Sequence, residues 1–553
     1  MQKTHTKTVI TLDIGAFESK EVVLQCPKDQ TIYHSEELRE LSPTNGTFGY
    51  DIIVYVGKAL FIHCQNNRAI MKNLASKNIL ISERSISNLG KKFIAHLSLA
   101  HRESQNQIRN LMAKKGGYIL HIDGTCEGDS PYLFCGIDGI SELVLDCIKI
   151  FSEQKKNLIP FFESIKEQYG MPIALVHDMS RGILTAVDEV FPEVPNFICH
   201  FHFLRDIGND LLLEDYQEIM RRLRKLKIRG ALRRKKRYLE KKLGNNAYQI
   251  KELIEELEQG KLQDYSIEKS TVATCVLINW VFDAPSQSNG YGFPFDRQHL
   301  DFYRRLHRIY HLIGSIKKNF NSEDKYKVPF YQLWKQIDDI VADEELKKIV
   351  SALESKVVVF DKLRKAMRIT LPNGKKGLND EGDGTDINTI EEKVKTFRNW
   401  LTKKKKCMET YSQMLEQIDA YWEKLFSDPM LVSTNEGKFL IVPQRTNNIL
   451  EQFFRCEKRR YRKKSGTSSL NKTLKTILAE TPFVKNLENK EYYKCILNGC
   501  STLEERFSQI DTNLVVKELE KGEKNQFKTM PDMKKIIKQE GLPEKLTKLF
   551  ECM

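Results

Sequence analysis

Tyr118-Ile119-Leu120-His121-Ile122-Asp123-Gly124-Thr125 is a short apolar run that ends in a carboxylate and a glycine. A buried strand that delivers a polar residue to the edge of a sheet has this form. Two further apolar runs follow, Tyr132 to Ile137 and Leu143 to Ile148, with Gly136, Asp138 and Gly139 about their junction. That spacing predicts an antiparallel meander joined by tight turns. Leu158 to Gln168 then has helical spacing, Gly170 and Pro172 stop it, and Ile173-Ala174-Leu175-Val176-His177-Asp178 closes on a second aspartate. Three meander strands, a helix and a strand returning beside the first predict an α/β unit with Asp123 and Asp178 on neighbouring strands. Aspartate and glycine are common wherever strands end, so the pair carries the signal rather than either residue alone.

A chain of 553 residues is long enough for two to four domains, and its 41% apolar content is that of a globular protein. No run approaches the roughly 18 apolar residues of a membrane helix, and Met1-Gln2-Lys3-Thr4-His5 opens no signal core, so a soluble intracellular protein without a membrane partner is expected. The twelve cysteines are scattered singly and read as reduced thiols. The net charge of +14 is unevenly spread: Arg221 to Lys242 holds thirteen Lys and Arg against one acid, Glu240. Charge concentrated in this way points to a polyanion, nucleic acid first, although a solvated helix face has the same composition.

Thr8 to Ile14 and Glu21 to Gln25 read as two strands of a small N-terminal module, in which Cys26 and His34 are half of a zinc site at most. From Phe48 to His101 the pattern becomes helical. Gln65 to Lys77 carries Ile70 and Leu74 on one face, and Ser82 is placed to cap a second helix with Ile86, Leu89 and Phe93 inward. Read as a helix-turn-helix, the pair turns Arg84, Ser85, Ser87, Asn88, Lys91 and Lys92 toward DNA.

Beyond Asp178 a helix over Ser180 to Phe191 precedes Cys199-x-x-His202, which has metal-ligand spacing but no second Cys/His pair near it, so a core role for His202 is the stronger reading. Leu211 to Met430 is helical over most of its length, and Leu371 to Thr385 reads as an exposed loop. In Arg445-Thr446-Asn447-Asn448-Ile449-Leu450-Glu451, either asparagine is placed to cap a helix with Leu450, Phe453 and Phe454 inward. That helix is basic from Arg455 to Lys464, and Glu451 stands alone in its first turn, where the helix dipole by itself favours an acid.

Together these residues resemble the DDE transposases of the RNase H-like superfamily, most closely the Mutator-like element group. The likeness runs from about Phe48 to about Leu497. It rests on His-Ile-Asp123-Gly-Thr, Val-His-Asp178, Cys199-x-x-His202, a long helical insertion, and Thr446-Asn447-Asn448-x-x-Glu451 opening a basic helix. The resemblance implies an RNase H-like core, a mixed five-stranded sheet with flanking helices, built from 115–210 and 436–500 and interrupted by an all-helical insertion over 211–435. It further implies a small, degenerate zinc-ribbon-like module over 1–46, a helix-turn-helix over 47–110 and a helical tail over 501–553. The second cysteine of such a ribbon is missing near Cys26.

By the same resemblance Asp123, Asp178 and Glu451 are the catalytic acids and hold two Mg²⁺ ions, replaceable by Mn²⁺, with Glu436 and Glu457 next in line for the third position. Hard divalent cations prefer such oxygen ligands, and a pair of them serves phosphodiester cleavage and strand transfer. The implied partner is double-stranded DNA, transposon ends and target, bound by a homodimer or larger oligomer. Contacts are expected through Arg84, Asn88, Lys91, Lys92, Arg233, Arg234, Lys235, Lys236, Arg455 and Arg459, with Cys199 and His202 structural. The compartment is the cytoplasm, at the nucleoid in a prokaryote, or the nucleus in a eukaryote. Two other functions use the same residues: an RNase H-like nuclease or resolvase, and a transposase-derived, sequence-specific DNA-binding protein that has lost catalysis.

Overall fold

The computed structural model describes residues 2–524 except 29, 45, 245–246, 261–265, 285–290, 317–327, 370–386, 404–407, 427–428, 435–436 and 468, together with 539–543 and 545. The loop read over Leu371 to Thr385 and most of the tail beyond Lys524 lie outside the described residues. The chain forms two compact units, one of residues 1–199 and 429–553, the other of 200–428.

In the first unit, β1 (Gln2–Thr11) and β2 (Gly15–Gln25) make an antiparallel hairpin, to which β3 (Ile32–Tyr33) adds. The sequence spacing carries a strand through Ile14, but the chain turns over Leu12 to Ile14. Gly15, at φ +82°, takes the left-handed conformation that closes the turn.

The centre of this unit is a mixed five-stranded sheet. Its strands are β4 (Ile119–Thr125), β5 (Tyr132–Asp138), β6 (Val144–Ile150), β7 (Ala174–His177) and β8 (Asn196–Ile198), in the order β6-β5-β4-β7-β8. β4, β5 and β6 are the antiparallel meander read from the sequence, and β7 returns parallel to β4 with β8 parallel beyond it. Helices Lys155–Tyr169 and Arg181–Val190 connect β6 to β7 and β7 to β8. Both faces of β4 are covered: Leu120 and Ile122 join the main core with Phe134, Phe162 and Leu175. On the other face Ile119, Ala174 and Val176 meet Met430 and Ile441. Those last two belong to β9 (Met430–Thr434) and β10 (Gly437–Ile441), a hairpin in a stretch the sequence patterning assigns partly to helix.

The helices Asn67–Ala75 and Glu83–Glu103 follow the periodicity, and Ser82 caps the second by accepting from the N–H of Ser85 at 3.1 Å. Ile86, Leu89 and Phe93 are buried as expected. Burial does not stop there, however. Residues Phe93 to His101 are buried all round, and Phe93 packs edge-on against Phe507 at 5.7 Å. Ile52, Phe93 and Leu120 therefore share one hydrophobic cluster, so residues 47–110 have no core separate from the sheet.

Among its described residues the second unit is helical throughout. It opens with His200–Lys225, an unbroken helix that runs across the boundary placed at 211 from the sequence. Leu204, Leu212, Leu306, Ile337, Leu353 and Phe360 supply its core. The basic helix Ile228–Leu243 buries Ile228, Leu232 and Leu239 along one stripe and leaves Arg233, Arg234 and Arg237 exposed on the other. Among the described residues no helix is long and apolar enough to cross a membrane.

Candidate active site

β4 and β7 run in parallel with His121 opposite Val176. Continuing that register two residues brings Asp123 opposite Asp178, which lies one residue past the end of β7. Glu451 enters from the first turn of the helix Asn448–Ser465. The Asp123 carboxyl is raised well above the ordinary aspartate range, first by burial and then by the negative charges of Asp178 and Glu451. Its Oδ1 accepts the N–H of Gly124 at 2.8 Å, which opposes that rise.

Asp138, at the far end of β5, shows what a structural aspartate in this sheet looks like. It is fully buried, and its two oxygens accept the N–H groups of Ile119, Ile140 and Ser141 and the Ser141 hydroxyl. Asp123 has no such set of donors among the described residues; the negative charges of Asp178, Glu451 and Glu153 act on it instead.

A fourth acid, Glu153, was not singled out by the sequence. It follows β6, just before the helix Lys155–Tyr169. A Cβ placed on Gly124 would come within 3.1 Å of Glu153 Oε1, so this carboxyl lies over the backbone next to Asp123. Burial, and then the charge of Asp178, push its pKa up to about 7, against the pull of a hydrogen bond from Ser180. The signal in the sequence was slight: an acid directly after the third meander strand, with no motif around it.

The helix carrying Glu451 is held by Asn447. Either asparagine was placed to cap this helix, but Asn447 occupies the N-cap position and its side chain makes no cap hydrogen bond. Instead its Nδ2 donates to the Ile122 carbonyl at 2.9 Å, and its Oδ1 lies 3.1 Å from His121 Nδ1. With Oδ1 as the acceptor, Nδ1 of the imidazole carries the proton. Burial lowers the His121 pKa to about 4, so the ring is neutral at physiological pH. The Asn447 N–H donates to Cys199 Sγ at 3.3 Å. Cys199 thus anchors the same helix start, and His202, buried and depressed to about 3, is a neutral core histidine. At the N-terminus His34 pairs with Glu21 at 3.1 Å.

Oxygen donors only, mutually repelling, are a donor set that suits a hard divalent cation. Among the described residues, though, no group of three or more His, Cys, Asp or Glu side chains is arranged to hold a metal ion. The chemistry of the three acids fits such an ion, while their spacing as it stands does not enclose one. Glu457 pairs with Arg460 at 3.0 Å, and Glu436 is outside the described residues.

Protein-family models give no match to this chain, and a search of curated proteins gives none either.

The basic residues divide by exposure. Arg84, Asn88, Arg455 and Arg459 are exposed in the first unit, whereas Lys91 and Lys92 are half-buried, and burial lowers the Lys92 pKa. In the second unit Arg233 and Arg234 are exposed. Lys235 donates to Gln332 at 3.1 Å and Lys236 pairs with Glu240 at 3.8 Å.

Proposed function

We propose that this chain is a DDE-type transposase with an RNase H-like core, cutting DNA at specific ends and joining them to a target. The observation that carries the proposal is the state of Asp123: a carboxyl on the central strand of a mixed sheet, raised first by burial and then by the charges of Asp178 and Glu451. Structural acids are surrounded by donors, as Asp138 is; acids that face one another belong to cation and phosphate chemistry. Mg²⁺ or Mn²⁺ held by Asp123, Asp178 and Glu451 would neutralise charge on the attacking and leaving oxygens of a phosphodiester.

The chain's own residues prepare that site. The register of β4 and β7 sets the two aspartates side by side, and Asn447 fixes the helix that presents Glu451. Glu153, with a pKa near neutrality, can take or return a proton beside them. Arg455 and Arg459, exposed on the same helix as Glu451, would hold the DNA backbone in this reading. Arg84 and Asn88, exposed on the opening turns of the helix Glu83–Glu103, are of the types that read base edges.

The test uses full-length protein and a labelled duplex carrying the DNA that flanks its own coding sequence. With Mg²⁺, nicking at a defined end and joining of that end to a second duplex are expected from the wild type, and neither from Asp123→Asn. Cleavage without joining would make it a nuclease or resolvase. No cleavage by a folded, DNA-binding wild type would retire the catalytic reading.

A further inference from the structure

The helix Glu83–Glu103, the helix Asn448–Ser465, the segment from Leu60 to Arg68 and the segment after Asn471 line an open cleft of about 630 Å³ in the first unit. Small-molecule sites span roughly 300–1,000 Å³, so it is large enough for one ligand. Its wall is of two kinds. Phe61 and Tyr461 bring aromatic rings, with aliphatic side chains around them, and Lys91, Lys464, Thr473 and Thr476 bring ammonium and hydroxyl groups.

Neither of its two lysines has a carboxylate ion-pair partner among the described residues. The Lys464 ammonium stands 5.3 Å from the Phe61 ring centre, with no carboxylate partner among the described residues, and burial lowers its pKa. Lys91 also lacks an ion-pair partner among them. Its charge adds slightly to the lowering of the neighbouring Lys149, which burial causes and the charge of Glu480 opposes. At the rim, Arg68 is already paired with Glu83 at 3.2 Å. A desolvated cation is costly unless a counterion arrives. The Tyr461 hydroxyl is likewise buried and without a hydrogen-bond partner among the described residues.

An anion alone would answer the lysines and leave the apolar part of the wall without a partner; an apolar ligand would do the reverse. We infer that the cleft binds a single nucleotide, its phosphate between Lys91 and Lys464 and its base against Tyr461 and the part of Phe61 that Phe93 and Lys464 leave uncovered. Every base has a face that stacks on an aromatic ring, so the site selects phosphate and planarity before sequence. The nucleotide can be free, or unpaired within DNA. A small adjoining pocket shares Tyr461 and Thr473 and reaches Thr125, two residues beyond Asp123 on β4, which relates the site to the acids if the ligand is DNA. The inference does not depend on cleavage, and Asp123→Asn should leave it untouched.

The test is equilibrium binding to the full chain of four probes: dAMP, inorganic phosphate, a duplex with one bulged nucleotide, and the same duplex fully paired. Saturable dAMP binding is expected, with phosphate at least about tenfold weaker because it cannot stack. Lys464→Gln and Lys91→Gln should each weaken dAMP by about tenfold, and Tyr461→Leu by a similar factor, with circular dichroism unchanged. A preference for the bulged duplex that Lys464→Gln abolishes would assign the site to unpaired DNA; dAMP binding without that preference would assign it to a free nucleotide. Neither dAMP saturation nor a bulge preference, or variants that bind as the wild type does, would overturn it.

Discussion

The side-chain amide of Asn447 donates to the Ile122 carbonyl at 2.9 Å, tying the start of the Glu451 helix to the strand that carries Asp123. Asn447 and Ile122 lie far apart in sequence and are both fully buried. The bond therefore sets how one acid faces the other. Asn447→Ala leaves the Ile122 carbonyl and the His121 N–H without their partner, at a cost of about 1–3 kcal/mol per buried polar group left unsatisfied. Cleavage should fall by about 10–100-fold, as when a residue that orients a ligand is removed. Thermal melts and end-cleavage rates together decide it. A melt that falls while the rate holds would leave Asn447 a purely structural role.

Relieving the repulsion between the acids should stabilise the protein while stopping the chemistry. Asp123→Asn is expected to abolish cleavage and to raise the melting temperature by roughly 1–2 °C, the shift about 1 kcal/mol produces in a unit of this size. The gain should shrink when millimolar Mg²⁺ stabilises the wild type. A melting temperature that drops instead would mean Asp123 is held by its hydrogen bonds rather than opposed by its neighbours.

Phe93 is fully buried in the core that also holds Leu120 of β4. Phe93→Ala should destabilise the first unit by about 3–5 kcal/mol. Hydrogen exchange at the amides of β4 should accelerate with it, because the two regions share a core. Protection of β4 unchanged by this substitution would mean that residues 47–110 unfold by themselves. For the same reason, deleting residues 1–105 should yield unfolded protein rather than a catalytic core lacking its DNA reader.

Asp146 on β6 accepts from the Cys147 N–H at 2.8 Å and the Ser164 hydroxyl at 3.1 Å, yet burial raises its pKa from 3.8 to about 6. The folded state therefore binds this proton more tightly than the unfolded state, and the group's contribution to stability falls as pH rises from about 4 to about 6. Asp146→Asn keeps an acceptor for the Cys147 N–H, turns its NH₂ toward the Ser164 oxygen, which then accepts, and removes the titration. It should be more stable than the wild type above pH 6, with the difference closing toward pH 4. Denaturant midpoints from pH 4 to 7.5 test the sign; a constant difference would exclude Asp146 as its source.

The basic helix should hold DNA through fewer contacts than its composition implies. Each phosphate contact contributes about 0.9 to the log–log salt slope. Arg233 and Arg234 are exposed while Lys235 and Lys236 are engaged within the unit. Changing all four to Gln should flatten the slope by roughly 2 units rather than 3 to 4. An unchanged slope in a folded variant would make the run a solvated face.

The sequence by itself determined the local elements. A meander of three apolar runs, a helix ended by Gly170 and a fourth run closing on Asp178 are all present, because continuous apolar runs and the glycine turns between them act over a few residues. It also singled out Asp123, Asp178 and Glu451, and the structure sets Asp178 and Glu451 close enough to Asp123 for their charges to act on it. What only the tertiary structure decided depends on groups distant in the chain. Asn447 reads as a cap in sequence, yet it spends its amide on Ile122 and His121. Glu153 becomes part of the site only when the segment after β6 brings its carboxyl over Gly124. The helix Glu83–Glu103 reads as half of a free-standing pair, but Phe93 to His101 are buried against residues from the far end of the chain, such as Phe507. Periodicity reports which face of an element is apolar; what that face meets is set by packing between distant segments, and no local pattern encodes it.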